Sequence, residues 1–475
     1  MTDVTERSKD GCRITCLAAL IFCVTGCAAG APEGGQTPAE SGRMEQEREV
    51  PAVIRNSTVR DSSYGQEIRQ AVLDFPSLSG QNARLSTVAS RLDALEGSRL
   101  PQLTAGVSAG QAVAGDDQGA TLTAQISLRQ LVFDGSATRN RIALTRVTQR
   151  QLQLETDVLL SGLSQRIAEA SLDLWEQTQL LQLAETNVTT HEDFVTQTQE
   201  RVLGGATTGS DLLSARSRLA DVQSERAQRT AALEQARASY IALIGPLPAD
   251  ARLPPPLPRL GDDLARVRLE SSSQLAISRM RITAAEAELA VARSGRYPGI
   301  FLELTGRQTD LLTDDAEDEV FAGFSVDQSL FTGGQQRARE EQASSNLRLA
   351  RSTFDESERE ARRQLDVALA NRSAAEAQAT AASEAVRANT AVLEASRAQF
   401  SIGRRGIIEI LDAQRDLNAA QVRQIALQAL RIRTELEILS LTGDLAAVFG
   451  ITGYQAAPGP GAHVSITVSG PSQDE

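Results

Sequence analysis

Glu409 and Asp412 stand three residues apart in the stretch RRGIIEILDAQRDL, directly after Arg404, Arg405 and Gly406. On a helix, side chains three apart share a face, so the two carboxylates can project towards one axis. Acids in a first helical turn also complement the partial positive charge of the helix end. Asp211 precedes Glu409 by 198 positions, in GGATTGSDLL, where capping of free N–H groups is an equally good account. The usual apparatus of catalysis is absent. His191 and His463 are the only histidines and Lys9 is the only lysine. The four cysteines, Cys12, Cys16, Cys23 and Cys27, all fall within the first 27 residues. The rest of the chain therefore offers no nucleophile–base pair of the usual kinds, no thiolate metal site and no disulfide framework. The acidic run TDDAEDE at 313–319 lacks EF-hand spacing and reads as a solvated loop. These residues predict no enzyme activity and no cofactor.

The chain has 475 residues, a net charge of −13 and only 3% aromatics. An acidic balance argues against a nucleic-acid partner, and the Ala, Gln, Arg, Glu and Leu bias points to long helices. Arg7, Lys9 and Arg13 precede an apolar run over residues 14–24, which is a secretory leader and too short to span a bilayer as a helix. The run ends in Val24-Thr25-Gly26-Cys27. That is either a lipobox, with Cys27 the lipidated first residue of the mature protein, or part of an ordinary cleavage region.

What must position the acidic pair is a structure built twice. SLRQLVFDGSATRNR, from Ser127, returns as SVDQSLFTGGQQRAR, from Ser325. Phe133 and Phe331, Gly205 and Gly403, and Gly245 and Gly443 are each 198 positions apart, whereas Pro101 and Pro298 are 197 apart. One loop therefore differs by a single residue, and the chain is a tandem duplication. The expected layout is a leader at 1–27, a flexible segment at 28–62, a first repeat at 63–245, a stiff Pro-rich linker at 246–258, a second repeat at 259–450 and a disordered tail at 451–475.

Each repeat opens with strands. Leu122, Ala124, Ile126 and Leu128 alternate with Thr123, Gln125, Ser127 and Arg129, and Val320, Ala322, Phe324 and Val326 repeat the pattern. Leu103-Ala105-Val107-Ala109 and Ile300-Leu302-Leu304 precede them with the same period of two. Apolar on one face and polar on the other, at bilayer-crossing length, fits a transmembrane barrel, although a sandwich with one wet face shows the same pattern. Four strands are too few to close around a lumen. The helices that follow are too long for a compact domain. Leu160, Ile167, Leu174, Leu181, Val188, Val195 and Val202 recur every seventh position, which demands packing in a left-handed coil. Shorter helices, about 78–97 and 263–293, precede the strand pairs.

This order, with the two Phe-x-Gly corners and FSIGRRGIIEILDAQRDL at a tip, resembles the TolC-type outer-membrane channels over about residues 68–450. The resemblance implies a mostly α fold with a small β part: a trimer pooling four strands per chain into a 12-stranded outer-membrane barrel, continued by an α-helical periplasmic tunnel. It places Glu409 and Asp412, with Asp211 their first-repeat counterpart, at a periplasmic gate, and Arg405 at a latch. Acids ringing a narrow pore attract cations and resist being brought together. Gly205, Gly403, Arg404 and Gly406 would form the tip that docks a periplasmic adaptor. The implied partners are two further copies, the adaptor, an inner-membrane ABC or proton-driven transporter and outer-membrane lipid. VLDFPSL and the first tip put type I protein secretion first, with drug or metal efflux by a lipoprotein serving a proton-driven pump, which the lipobox favours, as the alternative. A non-conducting periplasmic coiled-coil scaffold is the rival from another class; it explains the heptads but not the alternating strands.

Overall fold

The computed structural model of the chain describes residues 50–111, 120–309, 317–402, 404–455 and 465–468. Cys27, the leader, Gly403 and His463 lie outside them. After α1 (Ala52–Arg55) and α2 (Ser63–Leu73), the first repeat runs α3 (Pro76–Gly97), β1 (Gln102–Gln111), β2 (Ala120–Phe133), α4 (Ala137–Leu203) and α5 (Gly209–Leu243). The second runs α6 (Asp262–Glu270), α7 (Ser273–Ser294), β3 (Gly299–Thr309), β4 (Glu317–Asp327), α8 (Gln335–Ser401) and α9 (Ile407–Leu441). Helices α8 and α9 begin and end 198 positions after α4 and α5. Residues 246–258, between the repeats, carry neither helix nor strand.

The four strands form one antiparallel sheet in the order β1-β2-β3-β4. Leu103 faces Leu128, which faces Leu304 across the next ladder, and Leu302 faces Phe324, so one face is apolar from edge to edge. The opposite face is polar. Thr104 and Ser127 share a 2.7 Å hydrogen bond, and Arg129 lies 3.3 Å from Glu303 and 3.5 Å from Asp327, with its guanidinium 3.9 Å above the Phe301 ring. The acidic loop lies largely outside the described residues, but Glu319 faces Arg307 on this surface at 4.0 Å. The two registers match under an offset of 197 on β1 and 198 on β2, which puts the extra residue in the second hairpin loop.

Sharp corners join sheet to helix. The Asp134 carboxylate accepts from the Thr138 N–H at 2.7 Å, and the Thr332 hydroxyl accepts from Gln336 N–H at 3.4 Å. Gly135 has φ 63°, and a Cβ there would lie 2.5 Å from the Tyr297 Cβ, so only glycine fits. Ser136 follows at φ 70°, the one described non-glycine residue with positive φ, where the second repeat has Gly334. A left-handed residue with a Cβ costs about 1–2 kcal/mol, partly offset by the entropy glycine loses on folding. Ser136→Gly is therefore expected to stabilise the protein by roughly 0.5–1 kcal/mol, read as a rise in the denaturant midpoint.

Helices α4 and α8 have 67 residues each, on the order of 100 Å at 1.5 Å per residue. The returns α5 and α9 have 35 each and cover only the half nearest the hairpin turn. Near the sheet the long helices pack on α3 and α7, as Gln81 donating to Leu152 O and Arg351 donating to Glu286 show. The heptad residues Leu160 and Ile167 are buried in the mid-length core, and Leu174 and Val188 nearer the hairpin turn. His191 is buried there too, its Nδ1 2.8 Å from Asn187 O, and burial pushes its pKa down from 6.5, leaving it neutral at physiological pH.

At mid-length the hairpins pass through a core belt that gathers Ile54, Val59, Ile68, Ile167, Leu260, Leu365, Leu436, Leu445 and Phe449. Here α10 (Leu445–Val448) turns back into the belt. The Arg268 and Asp444 side chains are 11% and 2% exposed and joined by two hydrogen bonds, Nε to Oδ2 at 3.0 Å and Nη2 to Oδ1. Three sequence expectations are corrected here. Residues 50–62 are not a flexible lead-in, because Ile54 and Val59 are buried in the belt. The helix expected at 263–293 breaks into α6 and α7, since Ser272 caps α7 by accepting from Leu275 N–H at 3.4 Å. The tail is not wholly unstructured, because β5 (Ile451–Gln455) and β6 (Ser465–Val468) pair antiparallel. β-Branched residues in ITGYQ and SITV favour a strand, and the Pro/Gly composition between them masked that signal.

Candidate gate at the hairpin tips

Helix α4 ends in a left-handed glycine. Gly205 has φ 69°, its N–H reaches Val202 O at 3.0 Å, and the Ala206 N–H reaches Arg201 O at 2.8 Å, a Schellman stop. In the second repeat Arg404 N–H reaches back to Gln399 O at 2.9 Å, the same six-residue closure. Beneath both tips, Phe194, Ala215, Leu393, Phe400, Ile407, Ile410, Leu411 and Leu417 form an apolar plug contributed by α4, α5, α8 and α9.

Asp211 and Glu409 occupy the same third helical position, yet their environments differ. Thr208 is the N-cap of α5. Its hydroxyl accepts from Asp211 N–H at 3.3 Å, and the Asp211 carboxylate accepts from Thr208 N–H at 3.1 Å and from the Thr207 hydroxyl at 2.5 Å, a capping box. These bonds, the Thr207 hydroxyl foremost, hold the Asp211 carboxyl below its ordinary 3.8. A depressed carboxylate stabilises the fold above the ordinary value, and that contribution fades as pH falls through the lowered one. Thr208→Ala is expected to cost about 1 kcal/mol, and the difference between it and the parent should shrink in acid denaturation below pH 4.

At the second tip the N-cap is Gly406, which has no side chain to close such a box. Glu409 instead lies 3.1 Å from the Arg405 guanidinium, and its side chain is 56% exposed. Arg405 also donates to the Ser396 hydroxyl at 2.8 Å, bridging the end of α8 to the start of α9. Asp412 lies 3.3 Å from Arg415 and 3.9 Å from Arg218 on α5. Exposed pairs of this kind are worth up to about 1 kcal/mol each, enough to hold a resting arrangement and weak enough to be broken. Arg404 is exposed.

Sequence reasoning missed the ties between repeats. Arg201 donates to Phe400 O at 2.8 Å and stacks on the Phe400 ring at 3.7 Å. Gln414 donates to Asn187 at 3.2 Å, and Arg433 bridges Asp173 at 2.6 Å and Glu176 at 3.1 Å. These partners are some 200 or more positions apart, and the duplication maps positions onto each other without pairing residues across repeats.

A two-faced sheet at one end thus continues into hairpins on the order of 100 Å long, whose tip carries Glu409 and Asp412 paired with arginines. The model of the outer membrane efflux protein family matches residues 264–444, which is most of the second repeat. Outer membrane efflux protein BepC of Brucella suis is 26% identical over 358 residues, covering 73% of this chain and 78% of its own. Solvent efflux pump outer membrane protein SrpC of Pseudomonas putida is 24% identical over 283 residues, 57% of this chain and 60% of its own. Among solved structures, VceC of Vibrio cholerae superimposes with a TM-score of 0.73 at 17% identity, over 81% of this chain and 97% of VceC. The Campylobacter jejuni CmeC outer membrane channel gives 0.74 at 14% identity, over 88% and 94%. The chain is thus similar to the outer membrane efflux protein family over residues 264–444 and shares the fold of these outer-membrane channels.

Proposed function

We propose that three copies of this chain pool their sheets into one outer-membrane barrel and their hairpins into a periplasmic tunnel. The observation that carries this reading is the sheet: one face apolar, the other polar, and β1 and β4 left as open edges. An open edge with an apolar face needs a partner, and the polar face then lines an aqueous lumen. Glu409 and Asp412 form the constriction, Arg405 latches it, and Asp211 caps its helix. The tips around Gly205, Arg404 and Gly406 dock a periplasmic adaptor, which couples the duct to an energised inner-membrane transporter. Cys27 supplies a lipid anchor in the same membrane.

For cargo we favour small-molecule efflux, because BepC and SrpC carry efflux in their names and the lipobox agrees. Type I secretion is the second reading, favoured by VLDFPSL and the first tip. Purified protein in planar bilayers is expected to conduct; a preparation that inserts and never conducts would favour the coiled-coil scaffold. Deleting the gene should sensitise cells to solvents or dyes, and loss of an exported protein with unchanged drug sensitivity would move the assignment to secretion.

A further inference from the structure

Both strands of the second hairpin carry a phenylalanine on the polar face. Phe301 alternates with Ile300 and Leu302, and Phe321 faces Thr305 across the β3–β4 ladder. By the repeat offsets their counterparts on β1 and β2 are Thr104 and Thr123. A second change accompanies each of them. Gly299 and Gly323 stand where the first repeat has Gln102 and Gln125. The rings lie across these glycines: an added Cβ would come 3.1 Å from Phe301 Cε2 and 2.7 Å from Phe321 Cζ. Charge surrounds the rings. Glu303 faces Gly323, accepts from the Ser325 hydroxyl at 3.0 Å and lies 3.3 Å from Arg129. Arg129 in turn stacks on Phe301 at 3.9 Å and reaches Asp327 at 3.5 Å. The chain thus already holds one flat cation on an aromatic ring between two carboxylates.

We propose that Phe321 and Glu303 form a binding site for lipophilic organic cations on the wall of the barrel lumen. This rests on the reading above that the polar face lines an aqueous passage. The Phe321 ring is 53% exposed and lies over the residue that faces Glu303. An apolar cation can rest its body on that ring and its charge beside the carboxylate, as Arg129 does on Phe301. Among the described side chains this face carries Glu303, Glu319 and Asp327 against Arg129 and Arg307. It is acidic on balance and therefore selects against anions. Small hydrated cations gain nothing from the ring, so the class is set by the two features together. A shallow site suits a duct, in which a solute must leave as readily as it enters.

The test places a cysteine opposite Phe321 in the full-length protein in outer-membrane fractions, with the parent chain as control for the native cysteines. Thr305→Cys is labelled with an uncharged, membrane-impermeant thiol reagent, and Leu304→Cys, on the apolar face, is the reference. A ligand present at about twice its dissociation constant slows reaction at a position it covers about threefold. Tetraphenylphosphonium is expected to slow labelling of Thr305→Cys by that factor. Tetramethylammonium, a cation without the apolar body, should leave the rate unchanged. Phe321→Thr, which restores the first repeat's residue, and Glu303→Gln should each remove the protection, whereas Phe321→Tyr keeps it. An unchanged labelling rate without probe shows that the wall is intact in each variant. Protection that survives Phe321→Thr, that tetramethylammonium gives equally, or that is absent at every soluble concentration overturns the site and leaves the lumen standing. A Thr305→Cys that the reagent cannot reach, or that reacts no faster than Leu304→Cys, overturns the lumen-facing wall and the site with it.

Discussion

Arg268→Ala is expected to destabilise the protein by about 3–5 kcal/mol, the cost of leaving a buried charge without its partner. The Asp444 side chain is 2% exposed and takes two hydrogen bonds from that guanidinium, so water cannot replace what is removed. The pair joins α6 to the turn before α10, inside the core belt. Asp444→Ala should cost a similar amount. Replacing both residues by apolar ones of similar volume should recover most of it, because a buried pair gains little over good packing once its desolvation is counted. The urea midpoint of the detergent-solubilised protein, at unchanged m-value, reads the effect. A shift under about 1 kcal/mol for either single variant would mean that water reaches the pair.

Replacing Glu409 and Asp412 together by alanine is expected to raise single-channel conductance about fivefold and to weaken cation preference. If the acids and their arginines together contribute roughly 1 kcal/mol to the closed arrangement, that is the factor expected. Asp211→Ala should behave differently. Its carboxylate is engaged by Thr207 and Thr208, so its loss should lower stability by about 1 kcal/mol and leave conductance near the parent value. Planar-bilayer recordings of the two variants side by side separate gate from cap. Equal effects would mean that the two tips do the same work.

The duplication made most of the architecture readable. A fixed offset in the sequence returned as helices with matching ends, and period-two alternation returned as a sheet with an apolar and a polar face. What stayed hidden is what a repeat cannot encode. At the tips, Glu409 and Asp211 align, but only the presence of Thr208 against Gly406 decides that one closes a capping box and the other pairs with an arginine. The Arg201–Phe400 stack and the Arg433 bridge join residues with no periodic relation. The break at Ser272 was hidden by apolar residues that keep helical spacing across it. Ile54 and Val59 sit in a short segment with no periodicity, and only tertiary packing reveals them as core.

The belt also sets an order of manufacture. Its members include Ile54 and Ile68 from early in the chain and Val448, Phe449 and Ile451 from near its far end, and Arg69 donates to the Phe449 carbonyl at 2.7 Å. A chain that holds only its first repeat cannot complete this layer. Closing this layer therefore waits until the segment at 445–451 has joined those at 54–72.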